Sequence, residues 1–370
     1  MKVNLGIGTY RDENGNLDSL MVVRRAEYML AKNLIQTKVY LNHTGLEAYC
    51  ESGLTLVLGV DSVCRKEDRA CSVQGLGGTG TNHETMLKEA GFEVREYRYW
   101  NKKTFNIDFV GLLEDLEDAP AKSVILLHGC AHNPTGCDPT KEQWQQIAEI
   151  IQRKHLFPFF DLAYQGFASG DLDEDAWSIR YFADTLNLEL FVAQSFSKNL
   201  GVYSDRIGQL IACFHFPETV PIFLSQITLV VSRNYLTPPQ HGAEIVSTVL
   251  NTEELYQEWI LDVRRMYNRI QTIRQKLYTR LNELGTPGTW THIITQTGMF
   301  AFTGLNPQQC RTLVHEHHCY IPSNGRVNMC AITKENVDHV AESVHQVIVT
   351  LHRLSRHSSE LSAIEMQNCQ

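Results

Sequence analysis

Between residues 123 and 213 the chain alternates short apolar runs with segments of helical spacing, and this alternation limits the folds open to it. Each apolar run is short enough for a buried strand, and the segments between runs are long enough for helices. Strands joined through helices lie parallel in one sheet, which the helices cover. The sequence therefore predicts an α/β fold with a mostly parallel sheet flanked by helices. The predicted strands are Ser123 to His128, Leu156 to Asp161, Leu188 to Ala193 and Arg206 to Cys213, and the predicted helices are Lys141 to Lys154 and Asp173 to Thr185.

A longer helical segment, Glu253 to Leu284, leads from this sheet into a second and smaller strand-and-helix alternation. The 370 residues also exceed the length of a typical single domain. We therefore expect a large domain over residues 18–265, a smaller α/β domain formed by residues 1–17 and 266–355, and a polar tail over residues 356–370.

The composition excludes several classes of partner. The 33 basic residues are outnumbered by 42 acidic ones, the net charge is −9, and no basic run is present to pair with nucleic acid. No apolar run is long enough to span a membrane, and the first residues carry charges where a secretion signal would be apolar. The ten cysteines form no CxxC pair, which is typical of free thiols in a reducing compartment. These features predict a cytoplasmic protein without nucleic-acid or membrane partners.

Polar residues that follow the predicted strands are the first candidates for a site, because ligands of parallel sheets collect at the carboxyl ends of the strands. Lys198 follows the strand Leu188 to Ala193 among small polar neighbours. A partly buried lysine can lose its proton and form an imine. Two alternatives stay open. One is an ordinary solvated lysine, and the other is a serine acyl-enzyme with the spacing Ser195-x-x-Lys198, although the companion motifs of that class are absent.

Asp161 ends an apolar run and would enter the same crevice. A carboxylate at this point could keep the nitrogen of a pyridine ring protonated, which turns the ring into an electron sink. The competing interpretation is a helix N-cap, for which aspartate is a preferred residue.

The run Gly75 to Gly80 (GLGGTG) matches GxGxxG, and its backbone amides could form a cup for a phosphate at the start of the helix predicted near His83. A flexible turn explains the glycines equally well. Arg206 and Arg326 lie in apolar stretches. Their guanidinium groups would suit a phosphate and a carboxylate respectively, unless each forms a structural ion pair.

The segment His315-Glu316-His317-His318 beside Cys319 resembles a set of metal ligands. It does not match HExxH, and no second cluster is spaced to complete a tetrahedral site. A polar helix end is therefore favoured, and no metal site is expected.

Several long motifs occur in the order found in one enzyme family. They are VNLGIGTYR (3–11), HGCAHNPTGCDPT (128–140), FPFFDLAYQGFASG (157–170), QSFSKNLG (194–201) and TGMFAFTGL (297–305). On these stretches the chain resembles the aspartate aminotransferase family of fold type I pyridoxal 5'-phosphate (PLP) enzymes, from Lys2 to about Leu351. The overall look is that of its cytoplasmic animal branch or a divergent like-protein. The resemblance implies a large PLP-binding domain and a smaller α/β domain.

The resemblance also implies a role for each matching residue. Lys198 would form the Schiff base with PLP and carry the proton between the substrate and cofactor carbons. Asp161 would pair with the pyridine nitrogen, while Asn133 and Tyr164 would bond the phenolic oxygen. Arg326 would bind the substrate α-carboxylate with help from Gly8 and Asn133. The phosphate would be held by Gly78, Thr79, Ser195 and Arg206, with Tyr40 reaching it from the other subunit.

The reaction implied by the resemblance is ping-pong amino transfer between aspartate, or a related amino acid, and 2-oxoglutarate, in a cytoplasmic homodimer. The alternative is a catalytically impaired protein that keeps the fold and acts as a binding or dimerisation partner.

Three departures from the family pattern matter, and the second and third of them favour that alternative. The chain starts without the N-terminal arm that packs on the partner subunit, which predicts a weaker dimer. A helix and a strand are absent between the glycine loop and Asn82, so Gly80 or Thr81 stands where the family has a tryptophan that stacks on PLP. The loss of that strand would leave backbone groups unpaired in the sheet. Ser232 stands where the family has an arginine for the distal carboxylate, and Arg233 lies one residue, or about 100° of a helix, further on.

Overall fold

The computed structural model describes residues 1–17, 20–33, 37–77 and 82–350. Its α-helices are α1 (Met21–Lys32), α2 (Glu47–Leu58), α3 (Val63–Lys66), α4 (His83–Glu89), α5 (Phe109–Asp118), α6 (Lys141–Arg153), α7 (Leu172–Asp175), α8 (Trp177–Arg180), α9 (Thr219–Asn234), α10 (Gln240–Asn251), α11 (Glu253–Glu283), α12 (His292–Thr295) and α13 (Pro307–His315). A further helix runs over residues 337–350. The strands are β1 (Val3–Asn4), β2 (Ala70–Gly75), β3 (Trp100–Asn101), β4 (Asn106–Ile107), β5 (Val124–His128), β6 (Phe157–Leu162), β7 (Leu190–Ser195), β8 (Gly208–Cys213), β9 (Phe300–Phe302), β10 (Cys319–Tyr320) and β11 (Arg326–Asn328).

Five strands form the central sheet in the order β2-β8-β7-β6-β5. The strands β5, β6 and β7 are parallel, and β8 is antiparallel to both of its neighbours. Four strands therefore run in one direction and only β8 is reversed. All four strands expected from the apolar runs lie in this sheet, so the prediction of a mostly parallel sheet flanked by helices is confirmed.

The helices beside the sheet show how local sequence fixes their ends. Helix α6 begins at a capping box, in which Thr140 and Gln143 each bond the backbone of the other. Its buried face, which includes Trp144, Ile147 and Ile151, packs into the core. The predicted helix Asp173 to Thr185 is divided into α7, α8 and a π-helix over Tyr181–Thr185. Asp175 explains the first break, because its carboxylate turns inward and accepts hydrogen bonds from the loop over residues 166–169.

Helix α11 connects the central sheet to the two-stranded sheets β1-β10 and β9-β11. One hydrophobic cluster continues through both regions, and the buried residues of α11 belong to it. The indole of Trp259 on α11 donates to the carbonyl of Asn199, at 2.7 Å, in the loop that carries Lys198. The division into domains at residues 17 and 265 stays a prediction, and the expected tail over residues 356–370 lies outside the described residues.

Strand β5 is an edge strand in the described part of the sheet, where it pairs with β6 alone. Val124 is 43% exposed. The segment over residues 92–99 passes nearby without regular structure, and the hydroxyl of Tyr97 donates to the carbonyl of Leu126 at 2.7 Å. The side chain of Tyr97 therefore bonds a backbone carbonyl that a neighbouring strand would otherwise bond.

Candidate active site

The carboxyl ends of β5, β6 and β7 and the start of β8 meet at one edge of the central sheet. Asn133 follows β5, Asp161 lies near the end of β6, Lys198 follows β7 and Arg206 precedes β8. The strand register places His128 of β5 opposite Asp161 of β6. The sheet thus gathers residues that are far apart in the chain.

Lys198 has no hydrogen-bond or ion-pair partner among the described residues, and its side chain is half-buried. Its Nζ lies 5.1 Å from the centroid of the Tyr164 ring. Burial lowers the pKa of Lys198 and the Arg206 guanidinium lowers it further, whereas Asp161 acts in the opposite direction. The amine is therefore placed to act as a nucleophile or a base, and the alternative of a solvated lysine does not fit.

Asp161 is a buried carboxylate, 3% exposed, whose Oδ2 lies 2.6 Å from Nε2 of His83 in α4. Burial by itself would raise the pKa of Asp161, but the hydrogen bond from His83 and nearby positive charge, including Lys198, bring the pKa below its ordinary value. The group is consequently ionised at neutral pH. Because Asp161 lies inside β6 and no helix follows it directly, the N-cap alternative is wrong.

Asn133, Tyr164 and Arg326 form a connected polar group. Asn133 Nδ2 donates to Tyr164 Oη at 3.2 Å, and Arg326 Nη1 donates to Asn133 Oδ1 at 3.3 Å. Arg326 also donates to the carbonyl of Gly6 at 2.9 Å and lies 4.3 Å above the Phe300 ring centroid. No carboxylate of the described residues pairs with Arg326, so the structural ion-pair alternative is wrong for this residue. A guanidinium in this state suits a carboxylate ligand.

The Arg206 guanidinium lies against the start of the glycine loop. A Cβ built on Gly77 would lie 3.0 Å from Arg206 Nη2, and the φ of Gly77 is +99°, so only glycine fits there. Ser195 is buried behind this point, and its Oγ accepts from Ser197 N at 3.2 Å. No described bond links Ser195 to Lys198, which gives the acyl-enzyme alternative no support. Gly78 and Thr79 lie outside the described residues.

The remaining predicted residues, Gly8 and Tyr40, lie at different distances from this cluster. Gly8 is close to it, because a Cβ at this position would lie 3.4 Å from Cζ of Phe300. Tyr40 is 83% exposed and makes no described hydrogen bond or ring contact to the other predicted residues.

The predicted polar helix end near His315 is confirmed, since α13 ends at that residue.

Several residues of the site were not expected from the sequence. His83 bonds Asp161, Phe300 lies under Arg326, and Asn328 Nδ2 donates to the carbonyls of Ile7 and Thr9 at 2.6 and 2.8 Å, which fixes the segment that contains Gly8. His128 ends β5 beside Asp161. The rule that ligands collect at the ends of strands could have identified His128, whereas the other contacts depend on the tertiary fold.

The described residues fit PLP. The site contains an amine without a partner at Lys198, an ionised carboxylate at Asp161, and an amide and a phenol at Asn133 and Tyr164. Arg206 beside the glycine loop has the charge and position for the phosphate group.

A model of the family "Aminotransferase class I and II" matches residues 80–344. Cytoplasmic aspartate aminotransferase from Gallus gallus is 43% identical over 381 positions, which cover 95% of this chain and 92% of that protein. Aspartate aminotransferase 1 from Medicago sativa is also 43% identical and covers 94% of this chain and 89% of its own length. Since the 381 aligned positions exceed the 370 residues of the whole chain, the chicken protein contains residues that this chain lacks.

Solved structures of aminotransferases are also similar to this chain. Aspartate aminotransferase from the cytoplasm of Saccharomyces cerevisiae has a TM-score of 0.92 and 37% identity, and the match covers 94% of this chain and 92% of that one. An aromatic-amino-acid aminotransferase from Burkholderia pseudomallei, covalently bound to PLP, has a TM-score of 0.91 and 35% identity with the same coverage. Among the described residues, no helix has the length and apolar character needed to cross a membrane.

Proposed function

Because this chain belongs to the class I and II aminotransferase family and is a PLP-dependent transaminase, we propose that it transfers the amino group of aspartate, or a related amino acid, to 2-oxoglutarate. The observation that carries the proposal is the half-buried amine of Lys198, which makes no hydrogen bond or ion pair to the described residues and interacts electrostatically with Asp161 and Arg206. Relatives with 43% identity that are named aspartate aminotransferases support the choice of substrate. Nothing in the comparisons favours the alternative of an impaired binding partner.

Each polar residue of the site has a task in this reaction. When bound, PLP supplies an aldehyde that reacts with amines and a ring that withdraws electrons from the substrate α-carbon. Lys198 would bind the cofactor covalently through Nζ, and the same atom would move the proton at the α-carbon, which its lowered pKa favours. Asp161 would keep a proton on the pyridine nitrogen, and His83 would keep Asp161 ionised and oriented.

The substrate would bind on the side of Asn133 and Arg326. The Arg326 guanidinium would hold the α-carboxylate while Phe300 and the carbonyl of Gly6 keep it in place. Asn133 joins this clamp to Tyr164, so its substitution should affect both substrate binding and the electronic state of the cofactor. Gly8 lies next to Phe300, on the side where the carboxylate would bind.

We propose that the protein is a cytoplasmic homodimer. Helix α9 has the sequence TVPIFLSQITLVVSRN, and Val231 is its only buried residue. Ile222 is 64% exposed, and Leu229 and Val230 also face solvent. A second copy would bury this apolar helix. The exposed Tyr40 would then reach the phosphate in the partner's site.

The activity test uses the full chain loaded with PLP. We expect oxaloacetate to form from aspartate and 2-oxoglutarate, and Lys198→Ala to abolish the reaction although the variant folds. The absorbance spectrum of bound PLP should change when aspartate is added. A chain that binds PLP without responding to any amino acid would refute the transaminase activity in favour of a PLP-binding partner protein.

A substrate series tests the amino acid preference. Arg233 is exposed on α9, and Ser232 precedes it. If Arg233 serves the distal carboxylate of the substrate in a partner's site, Arg233→Ser should raise the KM for aspartate and leave the KM for alanine unchanged. Equal changes for both substrates would refute this role.

The dimer is tested by light scattering of the eluted peak in size-exclusion chromatography. Leu229→Glu should convert the dimer into monomers, whereas Leu261→Glu, an exposed leucine on α11, should not. A monomeric unmodified protein would refute the proposal.

A further inference from the structure

Two imidazoles and one carboxylate meet at the carboxyl ends of β5 and β6. His83 comes from α4, His128 from the end of β5 and Asp161 from β6, and their ligand atoms lie within 4.8 Å of one another. The two histidine rings are packed edge to face, with centroids 5.6 Å apart. Spacing along the chain gives no sign of this cluster, because its members belong to three separate elements.

We propose that His83, His128 and Asp161 bind a divalent transition-metal ion, with Zn²⁺ as the best match, when PLP is not bound. Imidazole nitrogens and a carboxylate oxygen are common zinc ligands, and three protein ligands leave a fourth position for water. At bond lengths of about 2.0–2.2 Å, the ligand atoms of a tetrahedral zinc site lie about 3.4 Å apart. The 2.6 Å contact between His83 and Asp161 therefore widens by less than about 1 Å, while His128 moves closer.

Carboxylate and neutral imidazole are the forms in which these side chains bind a metal. Asp161 is also held by a rigid strand, and His128 lies opposite it in the register of the same sheet. The ion would thus replace the hydrogen bond between His83 and Asp161.

Zinc and PLP should exclude each other. This part of the inference depends on the proposed function, in which Asp161 faces the pyridine nitrogen, whereas metal binding itself does not. An ion bound to Asp161 neutralises the carboxylate charge that would keep a proton on the ring nitrogen, and it adds positive charge beside Lys198, which already interacts electrostatically with Asp161. Before PLP binds, the chain would therefore carry the metal ion at this site.

The experiment titrates the cofactor-free full chain with Zn²⁺ by calorimetry and with Co²⁺ by visible absorption. We expect one ion per chain and a tetrahedral Co²⁺ spectrum. His83→Gln and His128→Gln should each weaken binding by more than about 100-fold, because the loss of a ligand costs more than the loss of a residue that only orients one. The matched control is His315→Gln, an exposed histidine in a histidine-rich segment, which should leave the affinity unchanged.

Two results would overturn the metal site: an unmodified chain that gives no tetrahedral Co²⁺ spectrum, or zinc binding that is lost in His315→Gln and kept in His83→Gln. Circular dichroism checks that the variants fold, and the Co²⁺ spectrum of the unmodified chain decides the question if they do not. Competition is followed by the absorbance of bound PLP. Zinc should slow PLP uptake, and simultaneous binding of both would refute the exclusion while the metal site stands.

Discussion

Replacement of Arg274 by methionine should destabilise the fold severely, because this cation holds the loop beneath the substrate clamp. Arg274 lies on α11 and is 0% exposed. Its guanidinium donates at 2.6 to 3.1 Å to four backbone carbonyls, those of Ile293, Thr297, Gly298 and Phe300. Burial lowers the pKa of Arg274 to about 10, so the side chain remains charged at neutral pH.

The size of the effect follows from these four bonds. Methionine fills most of the same space but donates nothing, which leaves four buried carbonyls without their partner at a cost of about 1–3 kcal/mol each. Removal of the guanidinium also removes the free-energy cost of burying a charge, so the free energy of unfolding should fall by about 3–5 kcal/mol in total. Arg274→Lys keeps the charge, but the lysine side chain is shorter and donates fewer hydrogen bonds. Its free energy of unfolding should fall by about half as much.

Denaturant unfolding measures the free energy of unfolding, and Arg264→Met is the matched control because it lies exposed on the same helix. The control should stay within about 0.5 kcal/mol of the unmodified chain. Since Phe300 packs on Arg326, Arg274→Met should also raise the KM for the amino acid. A loss below about 1 kcal/mol would show that water replaces the guanidinium and that the four bonds contribute little.

Three further changes should alter PLP affinity or the free energy of unfolding in a known direction. Gly77→Ala should weaken PLP binding about 10-fold by equilibrium dialysis, because its Cβ would lie 3.0 Å from Nη2 of Arg206 and displace the guanidinium from the phosphate. Gly91→Ala carries the same backbone cost at a φ of +88° but has nothing within 4 Å, so it should keep the affinity. Burial lowers the pKa of His292 from 6.5 to about 4, so the unfolded chain takes up a proton before the folded one. The free energy of unfolding should therefore fall by about 3 kcal/mol as the pH drops through that window, and less in His292→Gln. Tyr97→Phe should lower the free energy of unfolding by about 1 kcal/mol, since one hydrogen bond to β5 is lost.

The central strands could be predicted from the sequence because buried parallel strands are apolar on both faces. The run Leu188 to Ala193 predicts a strand, and the structure has Leu190–Ser195, a shift of one pleat period. Lys198 and Asp161 were identified for the same reason, since the end of a buried strand is where a polar residue reaches the crevice. Their roles as catalytic groups stay a proposal.

The contacts between elements could not be predicted. The bond between His83 and Asp161 joins a helix to a strand across 78 positions of sequence, and no local pattern encodes it. The clamp formed by Arg326 and Asn133 spans 193 positions. The sequence also does not reveal that β2 joins the sheet through the reversed strand β8, because strand order depends on how the connecting helices pack.

The edge of the central sheet at β5, which is unpaired in the part of the chain that the structure describes, has a consequence for solubility. A strand with an uncovered edge can recruit a strand from another molecule, which begins aggregation. In this chain the hydroxyl of Tyr97 takes one of the edge carbonyls, and the neighbouring segment carries Glu93, Arg95 and Arg98. Charges beside such an edge repel further strands. This short polar segment should therefore act as a gatekeeper, and its neutralisation would reduce solubility before it changed any property of the active site.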